Sequence, residues 1–291
     1  TNFSMNIFLL DAHRYAVGFR TNRVSQVDSN QERDLIKSNF DNLGFESRLL
    51  HKYNVLNKDL IFLFGAKFYK GQTLTAQGPA SNSTSPNFDF QLDDYPTYQF
   101  QSNYVNPNLN YAVFSENVIY LNKNTSLTPG FRFEYINTGS NGDYRIINTN
   151  LVGGVIYDTL IYTNQERERS FVLLGLGLST KFSGWMEFYA NYSQNYRAVT
   201  FADMNIVNPN FIINPSIQDE SGYTFDLGLR GNYRDFILYD VSSFYLFYND
   251  RIGFIQRELD NFIVKNEKGN VGNARILGQE LLLNFNLNKI F

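Results

Sequence analysis

The chain has 291 residues, 18% of them charged, and a formal net charge of −3, a near-neutral balance that argues against bulk nucleic-acid binding. Hydrophobic residues make up 43%, too many for a disordered chain. No cysteine is present and only two histidines, His13 and His51; this excludes a disulfide scaffold, a cysteine-ligated zinc site and thiol catalysis, and leaves too little for a histidine-based metal site or triad.

The 27 Phe, 20 Tyr and 37 Asn make a β-rich composition with many polar turns. No apolar run approaches the roughly 18 residues of a membrane helix; Leu60 to Ala66 is among the longer ones. The first residues enter in mid-pattern, so we expect a mature chain or a piece of a longer one whose leader lies elsewhere.

Alternation with period two replaces helical periodicity along the chain. It predicts ten strands, over residues 2–10, 39–53, 58–71, 109–122, 126–138, 169–181, 184–198, 221–234, 236–256 and 270–288. In 43–53, Leu43, Phe45, Leu49 and Tyr53 oppose Gly44, Glu46, Arg48 and Lys52. In 127–136, Leu127, Phe131, Phe133 and Tyr135 oppose Thr128, Gly130, Arg132 and Glu134. In 185–197, Met186, Phe188, Ala190 and Tyr192 oppose Glu187, Asn191, Ser193, Asn195 and Arg197. In 223–233, Tyr223, Phe225, Leu227 and Leu229 oppose Thr224, Asp226, Gly228 and Arg230. In 277–287, Leu277, Leu281, Leu283 and Phe285 oppose Glu280, Asn284 and Asn286. Two strands fit poorly: 109–122, where Phe114 and Tyr120 share the polar parity, and 236–256, where Phe244 and Leu246 lie with Asp240 and Ser242.

The connections alternate in length. Residues 54–57, 123–125, 182–183 and 235 are short, whereas 11–38, 72–108, 139–168, 199–220 and 257–269 are long. A soluble sandwich has no reason to put every long loop at one end, but an outer-membrane barrel does, with short periplasmic turns and long extracellular loops. Arg48, Arg132, Arg230, Glu46, Glu134, Glu187 and Glu280 all lie on the polar parity of their strands, as they must if the other face meets lipid, where Lys or Arg costs about 2–4 kcal/mol. Tyr53, Tyr69, Tyr135, Trp185, Tyr192, Tyr223 and Tyr233 sit near strand ends, where a lipid–water boundary favours them. The expected fold is therefore an all-β, antiparallel transmembrane β-barrel. The alternatives are a soluble β-rich adhesin or binding module built on a sandwich or fibre-like sheet, and a passive porin-like solute channel.

Several stretches resemble TonB-dependent outer-membrane receptors, particularly the ferric-dicitrate-transporter-like group. They are Leu127 to Tyr135 (LTPGFRFEY) after Ser115 to Asn117 (SEN), Glu187 to Arg197 (EFYANYSQNYR) with Thr200 and Phe201, and Tyr239 to Gly253 (YDVSSFYLFYNDRIG). Asn270 to Arg275, Gly278 to Glu280, and the loop stretches Asp11 to Arg14, Gly18 to Arg20 and Arg33 to Ile36 continue the likeness. The resemblance spans the whole chain. Members carry a plug domain, an energy-coupling box and a barrel of about 22 strands. Residues 1–291 show no plug or coupling box and about ten strands, so the resemblance implies an internal part of a larger barrel. Phe291 resembles the aromatic end of outer-membrane barrels, although Lys289 interrupts that series.

The resemblance further implies a receptor in the outer membrane of a Gram-negative bacterium that captures a ferric chelate such as ferric citrate. Import would be driven by the TonB complex through a plug, with lipid and lipopolysaccharide around the wall. Iron would be cargo rather than cofactor, and neither a cofactor nor catalysis is expected. An anionic chelate calls for cations and hydrogen-bond donors, which makes Arg14, Arg20, Arg23, Gln194 and Arg197 the ligand-binding candidates; the plain alternative is hydrated loop charges. Arg48, Arg132, Glu134, Glu187, Arg230 and Glu280 would face either a plug or only water in the lumen. The aromatic loop 72–108 is either a lid or a loop packed on its neighbours. Asn205, Asn208, Asn210 and Asn214 would contact the chelate or make Asx turns.

Overall fold

A computed structural model describes residues 1–19, 25–28, 30–56, 58–83, 87–205, 211–259 and 263–287. Its elements are β1 (Asn2–Gly18), β2 (Arg33–Val55), β3 (Lys58–Ala80), β4 (Ser102–Tyr120), β5 (Thr125–Thr149), β6 (Val155–Ser183), β7 (Met186–Arg197), α1 (Phe201–Met204), β8 (Phe211–Ile213), β9 (Glu220–Tyr233), β10 (Ile237–Asn249), β11 (Ile252–Leu259), β12 (Ile263–Asn270) and β13 (Ala274–Phe285). Ten strands form one antiparallel sheet in the order β1-β2-β3-β4-β5-β6-β7-β9-β10-β13. β11, β12 and β8 form a second, three-stranded sheet. Among the described residues β1 pairs only with β2 and β13 only with β10, so the ten strands do not close into a barrel of their own.

The registers join the predicted parities into two continuous faces. Phe45 lies opposite Phe68, Phe68 opposite Tyr111 and Tyr111 opposite Tyr135. Their rings meet in stacked and tilted pairs across four strands, with centroids 5.7, 5.3 and 5.9 Å apart. Tyr192, Tyr223 and Tyr245 form a second such row on β7, β9 and β10, at 5.9 and 6.0 Å. Toward the short-turn end, Trp185 and Tyr233 form the opposite edge at 5.3 Å. Tyr53 to Phe45 on β2 is about nine residues, the length with which a tilted strand crosses a hydrocarbon layer. Between the two aromatic levels the outward parity carries no charge on the described strands, and its apolar side chains are uncovered: Ile7 and Leu281 are each 66% exposed. Among the described residues the sheet is one layer with no second sheet against its apolar face, unlike a sandwich. The buried apolar cluster lies instead at the loop end, in Val199, Met204 and Ile217.

The two poorly alternating strands have a physical reason. Inward Phe114 on β4 lies flat over Gly65 of β3, so that a Cβ at Gly65 would collide with its ring. Phe244 lies in the same way over Gly278, Phe8 over Gly44, and Tyr189 over Gly228. The inner wall thus takes aromatics where the neighbouring strand offers a glycine, the ring replacing the missing side chain. Parity alone cannot show this, because it depends on cross-strand register.

The strands outrun their predicted upper ends. Residues 139–168, expected as a loop, form the continuation of β5 and β6 joined by a five-residue turn. β6 has 29 residues, about 95 Å at the usual rise, so most of its length stands clear of a bilayer. There both faces meet water, alternation is no longer required, and the ladder continues without its signature. The expected strand 236–256 ends at Asn249, and Ile252 begins β11 in the second sheet. The expected loop 257–269 holds β12. Of the loop 72–108, only 81–101 lies between strands, and it is packed: Phe88 is 5.6 Å from Tyr15, Lys37 Nζ is 4.9 Å from the Phe90 ring centre, and Tyr98 donates to Asp34 at 2.8 Å. Phe291 lies outside the described residues.

One ladder of the sheet stops well short of its strands' ends. The β6–β7 ladder ends at Gly175 opposite Ser193, although β6 continues upward with β5 and β7 continues with β9. Just above, the Leu174 N–H donates to Gln194 Oε1 at 2.9 Å, a side chain standing in for the missing ladder bond.

Candidate functional site

At the loop end, β7 finishes on Arg197 directly opposite Glu220, which starts β9. Arg197 Nη1 donates to Glu220 Oε1 at 3.0 Å, and its Nη2 to Asp203 Oδ2 at 3.0 Å. Asp203 belongs to the single turn α1, whose start it fixes by accepting from the Thr200 N–H at 3.0 Å and hydroxyl at 2.9 Å. Lys268 of β12 reaches Asp203 Oδ1 at 2.7 Å and the Ala202 carbonyl at 3.0 Å. Glu220 also accepts the Ile252 N–H at 2.8 Å. Asp203 and Glu220 are buried, at 2% and 4% exposure, and buried carboxylates persist only when paired and hydrogen-bonded. Burial works against the charge on Asp203, but the bonds from Lys268 and Thr200 outweigh it and hold the carboxyl below its ordinary range.

A second cluster fills the gap above the end of the β6–β7 ladder. Arg169 of β6 donates to Asp219 at 2.8 Å and to the Val199 carbonyl at 2.9 Å. Asp219 also accepts from the Tyr196 hydroxyl, and burial, reinforced by that carboxylate, pushes the Tyr196 phenol far up. Tyr196 stacks on Phe171 with ring centroids 3.7 Å apart. Beyond it, Asn205 accepts from Ser140 at 2.7 Å and donates to Asn106 at 3.0 Å. Arg197, Arg169, Ser140 and Asn106 all carry inward parity, so the segment after β7 folds across the inner wall toward β4 and β5.

These placements separate the sequence candidates. Arg14 of β1 points inward opposite Ser38, donates to its hydroxyl at 3.5 Å and lies 5.7 Å from the Phe40 ring centre; among the described residues no carboxylate pairs with it. Arg197 is committed to two carboxylates. Gln194 has outward parity with Tyr192 and Tyr223, and its carbonyl is taken by Leu174, so the structure does not place it beside Arg197 on the inner wall. Arg20 and Arg23 lie outside the described residues, as do Asn208 and Asn210. Asn214 makes an Asx turn to Ser216 at 2.9 Å.

The lumenal candidates all take inward positions. Arg48 pairs with Glu46 at 2.6 Å along one strand, Arg132 pairs with Glu134 in the same manner, and Arg230 pairs with Glu187 across strands at 3.0 Å. Arg132 also covers Phe114, and Arg230 covers Tyr189, at 5.3 and 5.1 Å from the ring centres. Glu280 lies opposite Ser242 on β13. Sequence reasoning missed Asp203, Asp219, Glu220, Arg169 and Lys268. The one local signal was the Thr200–Asp203 spacing, which marks a helix start.

The fold of the ten-stranded sheet has counterparts among solved structures. The ferric citrate transporter FecA in its unliganded form superposes with a TM-score of 0.67 at 15% identity, over 99% of this chain and 37% of that one. The ferric-catecholate import receptor Fiu from E. coli gives 0.64 at 11%, over 97% and 42%. The copper transporter OprC gives 0.62 at 18%, over 98% and 41%. These likenesses show the fold, and the chain spans less than half the length of each. No curated protein matches the chain in sequence. The TonB dependent receptor-like β-barrel family matches residues 2–291, and the chain belongs to that family.

Proposed function

We propose that the chain forms part of the wall of an energy-coupled receptor in the outer membrane of a Gram-negative bacterium. Its cargo is an anionic metal chelate, with ferric citrate the first candidate. The observation that carries this reading is the sheet itself: apolar and uncharged outside, polar inside, with every long segment at one end, in a chain matched by the family from residue 2 to 291. Such a wall is stable only in lipid, and only if other strands or segments pair its two edges. Cargo is taken up at the loop end, and the TonB complex supplies the energy through a plug held against the inner wall. An anionic chelate is favoured by Arg14, an inward guanidinium near the loops with no carboxylate partner among the described residues, which is free to make charge-assisted bonds to a cargo carboxylate.

Calorimetric titration of the full-length receptor with ferric citrate, against ferric catecholates, copper chelates and iron-free citrate, tests the substrate. Preferential binding of ferric citrate supports the assignment, and equal or absent binding removes it. Arg14→Gln is expected to weaken the preferred ligand by about tenfold, the size of one charge-assisted bond. Uptake that persists after the proton gradient is collapsed would point to a passive channel instead.

A further inference from the structure

At the opposite, short-turn end of the sheet lies a cavity of about 800 Å³ between the β2–β3 and β4–β5 turns. Lys52, Lys58 and Lys123 line it, with Asn54, Asn122 and Tyr120. Lys52, Asn54, Asp59 and Tyr120 have inward parity, whereas Lys58 shares the outward parity of Tyr53 and Leu60, so the cavity lies across the rim of the wall at its periplasmic mouth. Asp59 is the one carboxylate in the lining, and it accepts the Asn54 amide at 3.1 Å. Among the described residues none of the three lysines has an ion-pair partner. With Asp59 counted, three positive and one negative charge leave the cavity a net +2.

The guanidinium groups of the inner wall at the level of the bilayer are placed differently. Arg48, Arg132 and Arg230 are each neutralised by a carboxylate. An anion moving down that wall meets guanidinium groups already occupied, and then reaches uncommitted ammonium groups at the exit. The residue type also matters. Arginine holds a carboxylate by a rigid two-pronged bond, whereas lysine offers a mobile point charge that releases more readily. Three lysines with amide donors, in a cavity of small-ligand size, suit a group that is bound briefly and let go.

We propose that this cavity is a binding site for a small polycarboxylate anion at the periplasmic mouth, an exit-side station for the cargo. The site rests on the reading of the cargo as an anionic chelate, but its anion binding can be measured independently of transport.

Equilibrium dialysis of radiolabelled citrate against the purified, detergent-solubilised receptor reads the site directly. The triple variant K52Q/K58Q/K123Q is expected to lose affinity by at least about tenfold, since three exposed ion pairs of modest strength sum to that factor. The charge-preserving K52R/K58R/K123R is expected to retain binding. Heat-modifiable gel mobility checks that each variant is folded, and single variants at Lys58 and Lys123, both beside turns, give a second reading if the triple variant is not. Citrate binding that is absent from the wild type, or equal in the triple glutamine variant, overturns the proposal. Lysine-dependent citrate binding without any uptake of ferric citrate leaves the site standing and removes only the cargo assignment.

Discussion

Charge is handled differently in the wall and at the loop end. In the wall, Arg48 finds Glu46 and Arg132 finds Glu134 two residues along the same strand, and Arg230 finds Glu187 on the next strand. At the loop end, Asp203 gathers Lys268 from 65 residues away, and Asn205 binds Asn106 across 99 residues. The wall is sorted by its solvent. Lipid on one side and water on the other dictate alternation, and every ion pair is then made among near neighbours. Above the bilayer no such sorting acts, and structure there depends on a few buried polar closures, each of which fails if one partner is removed.

The sharpest test of this contrast is at Asp203. Asp203→Ala leaves Lys268 and the Thr200 N–H without their acceptor and should cost the loop-end module on the order of 3 kcal/mol. Hydrogen exchange would show this as lost protection in α1 and β12, with β2–β5 untouched; uniform loosening of the whole sheet would break the comparison. The same module should weaken in acid. The Asp203 carboxyl is lower in the folded chain than its ordinary value of 3.8, so its contribution is complete above that value and is lost as pH falls below it. Protease susceptibility between α1 and β12, rising only below about pH 4, is the expected profile.

The wall should respond to parity instead. Leu49→Arg puts a guanidinium in lipid and should cost about 2–4 kcal/mol in lipid-vesicle unfolding. Leu50→Arg, one residue on but inward, should stay within about 0.5 kcal/mol. Equal costs for the two would remove the assignment of faces. A smaller effect is expected at Gly65→Val, where the new side chain must displace the Phe114 ring and disturb Arg132 above it, costing about 1–3 kcal/mol. Phe114→Ala together with Gly65→Val should recover part of that loss if the ring and the glycine are a matched pair.

The sequence showed the wall well and the loop end poorly, for the same physical reason. Leu43, Phe45, Leu49 and Tyr53 reveal their face because lipid permits nothing else there, and the turns betray the lower end by their brevity. The continuation of β5 and β6 past Thr138 and Arg169 carries no such mark, since a ladder between two wet faces accepts either parity. Phe114 and Phe244 looked misplaced until register set them over Gly65 and Gly278. Of the site, Arg14 and Arg197 were visible as cations in the right segments. That one has no carboxylate partner among the described residues and the other is held by two became clear only from contacts between distant elements, as did the outward turn of Gln194.

The end of the β6–β7 ladder at Gly175 and Ser193 has a mechanical consequence. Above that level β6 and its neighbour β5 are joined to β7 and the segment after it by side chains, among them Arg169, Tyr196, Gln194 and Asn205, rather than by a row of backbone bonds. Side-chain fasteners can be undone one at a time without disturbing the stitched part in the bilayer. The upper seam can therefore be taken apart by substitution one contact at a time, while below it β6 and β7 stay joined by backbone bonds.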